Sequence, residues 1–119
     1  MLVKKFFNEN NETEAHPIKL SEKQLPSFIL QEIRSIGKRF QLRKIVLFGS
    51  RARGDQEERS DIDLAFPAKN AGHYFDVEDA FDQIPTLLSF DLVDMNGAAY
   101  SKALDEEIKR DGIILYEEI

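Results

Sequence analysis

The chain has 119 residues with 16 Lys and Arg against 22 Asp and Glu, a formal net charge of −6, and its length suits one domain with a sizeable core. Because Cys is absent, a disulfide scaffold, a thiolate zinc site and a cysteine nucleophile are excluded, and a reducing, cytoplasmic location is expected. The acidic balance argues against direct nucleic-acid binding, and the apolar runs are too short for a membrane span or a signal peptide.

The beginning of the chain differs in character from the rest. Residues 8–17 contain almost no apolar side chain and show no periodicity. We therefore predict a flexible N-terminal segment over residues 1–17 and one folded domain over residues 18–119.

A helix is predicted to open this domain. Ser21 and Gln24 stand at the spacing of a capping box, and Pro26 is compatible only with the first turn of a helix. Apolar side chains then recur at steps of three and four, which places them on one helical face. This face contains Leu25, Phe28, Ile29, Ile33, Ile36 and Phe40.

A buried strand over residues 45–48 is followed by a glycine-bounded basic stretch. Gly49 would allow a sharp turn and the close approach of a ligand. A short helix starting at Ser50 would direct free N–H groups at a phosphate, or the pair could be an ordinary strand-to-helix turn. Arg51 and Arg53 could contact nucleotide phosphates or a partner protein. Alternatively, they could be exposed and pair with Asp55, Glu57 or Glu58.

Residues 61–66 alternate acidic and apolar side chains, the period of a strand with two different faces. Asp61 and Asp63 leave the same face, whereas Ile62 and Leu64 point into the core. Like charges this close are unfavourable unless they share a cation or a proton, and Mg²⁺ prefers such hard oxygen ligands. The alternative is an edge strand that exposes its acids to solvent.

Helices and strands alternate through the rest of the chain. A helix is predicted to begin near Asp76, with strands over residues 90–95 and 113–116 and a helix around residues 103–108 between them. His73 would then lie exposed in a loop. This order predicts a small layered α/β (α+β) domain, in which helices pack on a mixed sheet of about four strands.

A third acid is available on the strand over residues 90–95. Asp91 and Asp94 are three residues apart and face opposite sides of a straight strand, so only one can join Asp61 and Asp63. We prefer Asp91 because it is flanked by apolar residues, whereas Asp94 is close to the strand end and could be a turn residue or a helix cap.

An apolar residue, Gly49-Ser50, ten residues and then Asp61-Ile62-Asp63 together resemble the nucleotidyltransferase superfamily that includes DNA polymerase beta. The resemblance covers residues 20–116 and is strongest to the smallest members, the minimal nucleotidyltransferases (MNT type). It implies the nucleotidyltransferase fold. It also implies that Gly49 and Ser50 hold the β,γ-phosphates of a nucleoside triphosphate, and that Asp61, Asp63 and Asp91 bind Mg²⁺.

The resemblance also implies a reaction and a partner. Minimal members pair with HEPN-domain proteins in what resembles a toxin–antitoxin system, where the nucleotidyltransferase adenylylates a tyrosine of the HEPN ribonuclease. We therefore expect transfer of AMP from ATP, with Mg²⁺, onto a HEPN-type toxin. Because no acceptor domain is visible before the chain ends at Ile119, the acceptor should bind in trans. The alternative is a surface shared in a homodimer or in a hetero-oligomer with the toxin.

Two other functions stay open. The chain could modify a small molecule, as aminoglycoside nucleotidyltransferases do, although it shows no obvious acceptor domain. It could instead be a non-catalytic antitoxin that neutralises its partner by covering it, although a binding protein need not keep Gly49, Ser50 and all three acids.

Overall fold

A computed structural model describes residues 20–118, so the segment predicted to be flexible, residues 1–17, lies outside the described residues. The elements are α1 (Ser27–Arg39), β1 (Lys44–Phe48), α2 (Ser50–Arg53), β2 (Ile62–Phe66), α3 (Ala71–Asp82), β3 (Phe90–Asp94), α4 (Lys102–Asp111) and β4 (Ile113–Glu117). Their order is the predicted one, with α2 as the short helix that starts at Ser50. Within the described range, no helix is long and apolar enough to cross a membrane.

The four strands form one mixed sheet in the order β3-β2-β1-β4. The strand β1 is antiparallel to both β2 and β4, whereas β2 and β3 are parallel. Parallel strands cannot be joined by a tight hairpin, and here the crossover from β2 to β3 contains α3. The predicted α/β class with a mixed sheet of four strands is therefore confirmed.

The two faces of the sheet are covered unequally. On one face, α1 and α3 bury the large apolar side chains of the strands, and Ile45, Leu47, Ile62, Leu64 and Leu115 are inaccessible to solvent. On the other face, α4 covers a smaller cluster made of Val46, Phe48, Ala65 and Ile108. The second face is therefore only partly covered.

The first helix begins later than the capping-box spacing predicts. The amide of Gln24 donates to Oγ of Ser21 (3.1 Å) and the amide of Ser21 donates to Oε1 of Gln24 (3.2 Å), but these bonds close an isolated turn. Proline disfavours helical backbone in the residue before it, so the helix cannot run through this point. Pro26 is therefore the N-cap of α1 and does not lie in its first turn.

The buried face of α1 also differs from the predicted one. Phe28 is 50% exposed, and Leu30 is buried instead. The buried arc is centred on Ile33, and at 100° per residue Phe28 lies about 140° from that centre while Leu30 lies about 60° from it. The prediction placed the arc wrongly because it counted Leu25, which precedes the helix.

The third helix begins five residues before its predicted start. The side chain of Asn70 accepts the amide of His73 (2.8 Å) and so caps the N-terminus of α3 at Ala71. His73 consequently lies in the first turn and is half-buried, with Nε2 3.0 Å from the carbonyl oxygen of Phe40. The prediction of an exposed loop histidine was wrong because this side-chain cap was taken for a loop.

Candidate active site

Two carboxylates lie side by side where β2 and β3 begin. Asp63 is paired with Asp91 across the parallel strands and with Phe48 across the antiparallel strands, so all three side chains share the α4 face of the sheet. Asp61 comes directly before β2, two residues from Asp63, and is exposed. The fold therefore brings together three acids that come from two distant parts of the sequence.

The electrostatics of this cluster are unfavourable to three full negative charges. Burial, the charges of Asp91 and Asp61, a hydrogen bond with Asp91 and the charge of Glu107 together raise the pKa of Asp63 to about 6. A shared proton relieves part of this repulsion, and a bound cation would relieve more of it. The site is therefore suited to a positively charged ligand.

Asp94, the other candidate for the third acid, has a different task. Its Oδ1 accepts the backbone amides of Ala68 (3.0 Å) and Asn96 (2.9 Å). The carboxylate thus joins the turn after β2 to the turn after β3, at the opposite end of these strands from Asp63. The acid next to Asp63 is Asp91.

Gly49 connects the turn after β1 to the acids. Its φ of 74° lies in the left-handed region, which favours glycine. A Cβ at this position would collide with Oδ2 of Asp63. Gly49 is the N-cap of α2, and Ser50 is the first residue of that helix. The Gly-Ser turn therefore lies directly against the carboxylate cluster.

Arg51 is not the exposed residue paired with acidic side chains that was one of the alternatives from the sequence. Its side chain is only 2% exposed, and its guanidinium donates to four backbone carbonyls. The acceptors are the carbonyl oxygens of Lys23, Gln24, Glu58 and Ser60, at 2.9–3.1 Å. Arg51 thus fastens the segment before α1 and the loop that leads to Asp61 onto α2.

Arg53 is 41% exposed at its side chain and forms three ion pairs. Its Nε lies 3.2 Å from Oδ2 of Asp55, which was one of the predicted alternatives. Its Nη1 also lies 3.9 Å from Oε2 of Glu107 and 3.9 Å from Oδ2 of Asp111. The two acids of α4 were not predicted as site residues, and their helical spacing of four was the available signal that they share one face.

The donor set fits a hard divalent cation, although no three His, Cys, Asp or Glu side chains within residues 20–118 are grouped as ready-made metal ligands. Mg²⁺ usually retains several waters and needs only one or two carboxylates in addition to the phosphates of its substrate. Asp63 and Asp91, with Asp61 beside them, would meet that requirement. A bound cation would relieve the repulsion among these carboxylates, which favours its binding.

Comparison with known proteins agrees with this geometry. The family model for polymerase beta nucleotidyltransferases matches residues 31–118. A toxin-antitoxin crystallised with AMP-PNP contains a chain 26% identical to this one, with a TM-score of 0.57 over 75% of this chain and 73% of that chain. A mutant of the toxin-antitoxin MntA-HpeT matches with 24% identity and a TM-score of 0.56 over the same shares of the two chains. Comparison with curated proteins gives no significant match. The chain belongs to the polymerase beta nucleotidyltransferase family.

Proposed function

We propose that this nucleotidyltransferase moves AMP from ATP onto a tyrosine hydroxyl of a HEPN-type toxin and thereby acts as the antitoxin of a toxin–antitoxin pair. The observation that carries the proposal is the pairing of Asp63 with Asp91 directly against the Gly49-Ser50 turn. The similarity to a toxin-antitoxin crystallised with AMP-PNP supports both the nucleotide and the kind of partner.

Each acid has a role in this reaction. Asp61 and Asp63 would hold Mg²⁺ at the phosphates, and Asp91 would complete the site on the side of the incoming hydroxyl. Mg²⁺, when bound, neutralises charge around the α-phosphorus and lowers the pKa of the attacking hydroxyl. Gly49 and Ser50 would hold the β,γ-phosphates, because the turn presents backbone N–H groups and the Ser50 hydroxyl can donate a hydrogen bond. Arg53 would add a positive charge to this end of the site.

The proposed transfer is a single in-line displacement. The tyrosine oxygen attacks the α-phosphorus of ATP, the bond from that phosphorus to the α,β-bridging oxygen breaks, and pyrophosphate leaves with the negative charge. The proton of the phenol passes to water. The products are an adenylylated tyrosine and pyrophosphate.

The test determines which molecule receives a labelled nucleotide. We combine the purified chain with Mg²⁺ and an extract of its native cells. Each of the four ribonucleoside triphosphates, labelled at the α-phosphate, is added in a separate reaction. We expect label from ATP on a tyrosine of a small protein, and no label with the double variant Asp61→Asn, Asp63→Asn. The matched control is Asp76→Asn, Asp79→Asn, which removes two exposed acids from α3 and should leave labelling unchanged.

Other outcomes would replace the proposal. Label on a small molecule would identify a small-molecule nucleotidyltransferase. Neutralisation of the toxin in cells that survives the Asp61→Asn, Asp63→Asn exchange would identify an antitoxin that acts by binding alone.

A further inference from the structure

We propose that Glu107 and Asp111 of α4 compete with a bound triphosphate for Arg53, so that α4 sets the affinity of the site for nucleotide. This inference rests on the proposed nucleotide binding at Gly49 and Ser50. It concerns a helix that the proposed reaction does not use.

The position of Arg53 brings it within reach of both kinds of anion. Arg53 is three residues after Ser50 on α2, which places the two side chains about 60° apart around the helix. The Cα–Cβ bonds of a helix tilt toward its N-terminus, so a long side chain at position 53 has the reach to approach the Gly49-Ser50 turn. In the structure its guanidinium contacts Asp55 and the two acids of α4 instead.

The contacts of Arg53 with α4 are of a kind that a phosphate can replace. The 3.9 Å distances from Nη1 to Glu107 and Asp111 are too long for hydrogen bonds, so these are purely electrostatic pairs. Nε is hydrogen-bonded to Asp55 at 3.2 Å and can keep this bond while Nη1 moves. The oxygens of a triphosphate carry more charge than the two carboxylates and can form bidentate hydrogen bonds with a guanidinium.

Glu107 connects this pair to the carboxylate cluster. Glu107 lies 3.9 Å from Arg53, and its charge is also one of those that raise the pKa of Asp63, so its field acts on both groups. Its side chain is 35% exposed. Asp111 is less specific for Arg53, because it also pairs with Arg110 at 3.1 Å. A substitution of Glu107 therefore tests the competition for Arg53 more directly.

The test measures the dissociation constant of AMP-PNP with Mg²⁺ by calorimetry on the full chain. We expect Glu107→Gln to tighten binding about threefold, since it removes one exposed ion pair that holds Arg53 back. The matched control is Glu106→Gln, which removes the same charge from an exposed neighbour on α4 and should leave the constant unchanged. Structural damage would weaken binding, so tightening is a readout that a merely structural role does not produce.

A second background separates competition for Arg53 from simple repulsion of the nucleotide. Arg53→Met should weaken binding, and Glu107→Gln added to it should then have no further effect. Should Glu107→Gln fail to fold, Asp111→Asn tests the same competition and is expected to tighten binding by a smaller factor.

The outcomes distinguish this inference from the function on which it rests. If the unchanged chain does not bind AMP-PNP, the proposed nucleotide site fails and the inference fails with it. If the unchanged chain binds but Glu107→Gln has no effect or weakens binding, only the inference is overturned. Tightening that persists in the Arg53→Met background would also overturn it.

Discussion

The two faces of the sheet differ in how much of their surface is used for folding. The face under α1 and α3 carries large aliphatic side chains that are completely buried, whereas the face under α4 carries a small apolar cluster next to Asp63 and Asp91. Strand β2, for example, contributes side chains to both faces, with Ile62 and Leu64 on one and Asp63 on the other. One face thus stabilises the domain while the other keeps charges together that do not favour folding.

This difference teaches that the site depends on stability supplied elsewhere. The raised pKa of Asp63 shows that its carboxylate is less favourable in the folded protein than in the unfolded chain at neutral pH. The apolar face compensates for this unfavourable free energy, because burial of each large aliphatic side chain contributes about 1.5–3 kcal/mol to stability. Substitutions on the two faces should therefore change stability in opposite directions.

The largest effect is expected on the apolar face. Leu64→Ala removes a completely buried side chain from the centre of the sheet and should lower the free energy of unfolding by about 2–5 kcal/mol. Urea unfolding followed by far-UV circular dichroism measures the change. A loss below about 1 kcal/mol would mean that this face is not the main source of stability.

The next largest effect is expected at Arg51, which joins two loops to α2. Arg51→Met leaves four carbonyl oxygens without their donor and should lower the free energy of unfolding by about 2–3 kcal/mol. Arg51→Lys should restore little, because an ammonium group cannot reproduce the planar fork. Arg59→Met, at an exposed position of the same loop, is the control and should leave stability unchanged in urea unfolding.

The opposite sign is expected for Asp63 on the α4 face. In chelator at pH 7, Asp63→Asn should raise the free energy of unfolding by about 1 kcal/mol, a value reduced for solvent screening because the side chain is only half-buried. Unfolding curves at several pH values check the cause. Because the folded pKa is about 6 and lies above the unfolded value, the advantage of the variant should shrink as pH falls through 6 and vanish near 4. An advantage that does not depend on pH would contradict this explanation.

The smallest effect is expected at Phe28, where the sequence pattern and the structure disagree. Phe28→Ser should change the free energy of unfolding by less than about 0.5 kcal/mol, because half of this side chain is already exposed. Ile29→Ala, one position along α1, is completely buried and should cost several times more. Equal losses in the free energy of unfolding at the two positions would mean that Phe28 contributes to the buried face of α1.

Much of the fold could be predicted because its signals are local. The alternation of residues 61–66 assigns each side chain of β2 to a face, and the helical spacing of four locates α4. The place of Arg51 could not be predicted, because its acceptors come from two loops, around Gln24 and around Ser60, that meet only in the folded chain. Glu107 was missed for a similar reason, since its partner Arg53 lies on a different helix.

The parallel pair β2 and β3 has a consequence for the dynamics of the site. Among residues 20–118, β3 is an edge strand that pairs with β2 alone. Edge elements open locally at a lower free energy than central ones, and each such opening would separate Asp91 from Asp63 while β1 and β2 stay folded. Amide hydrogen exchange in β3 therefore reports how often the site is assembled. A ligand that bridges the two acids should slow exchange in β3 more than in any other strand.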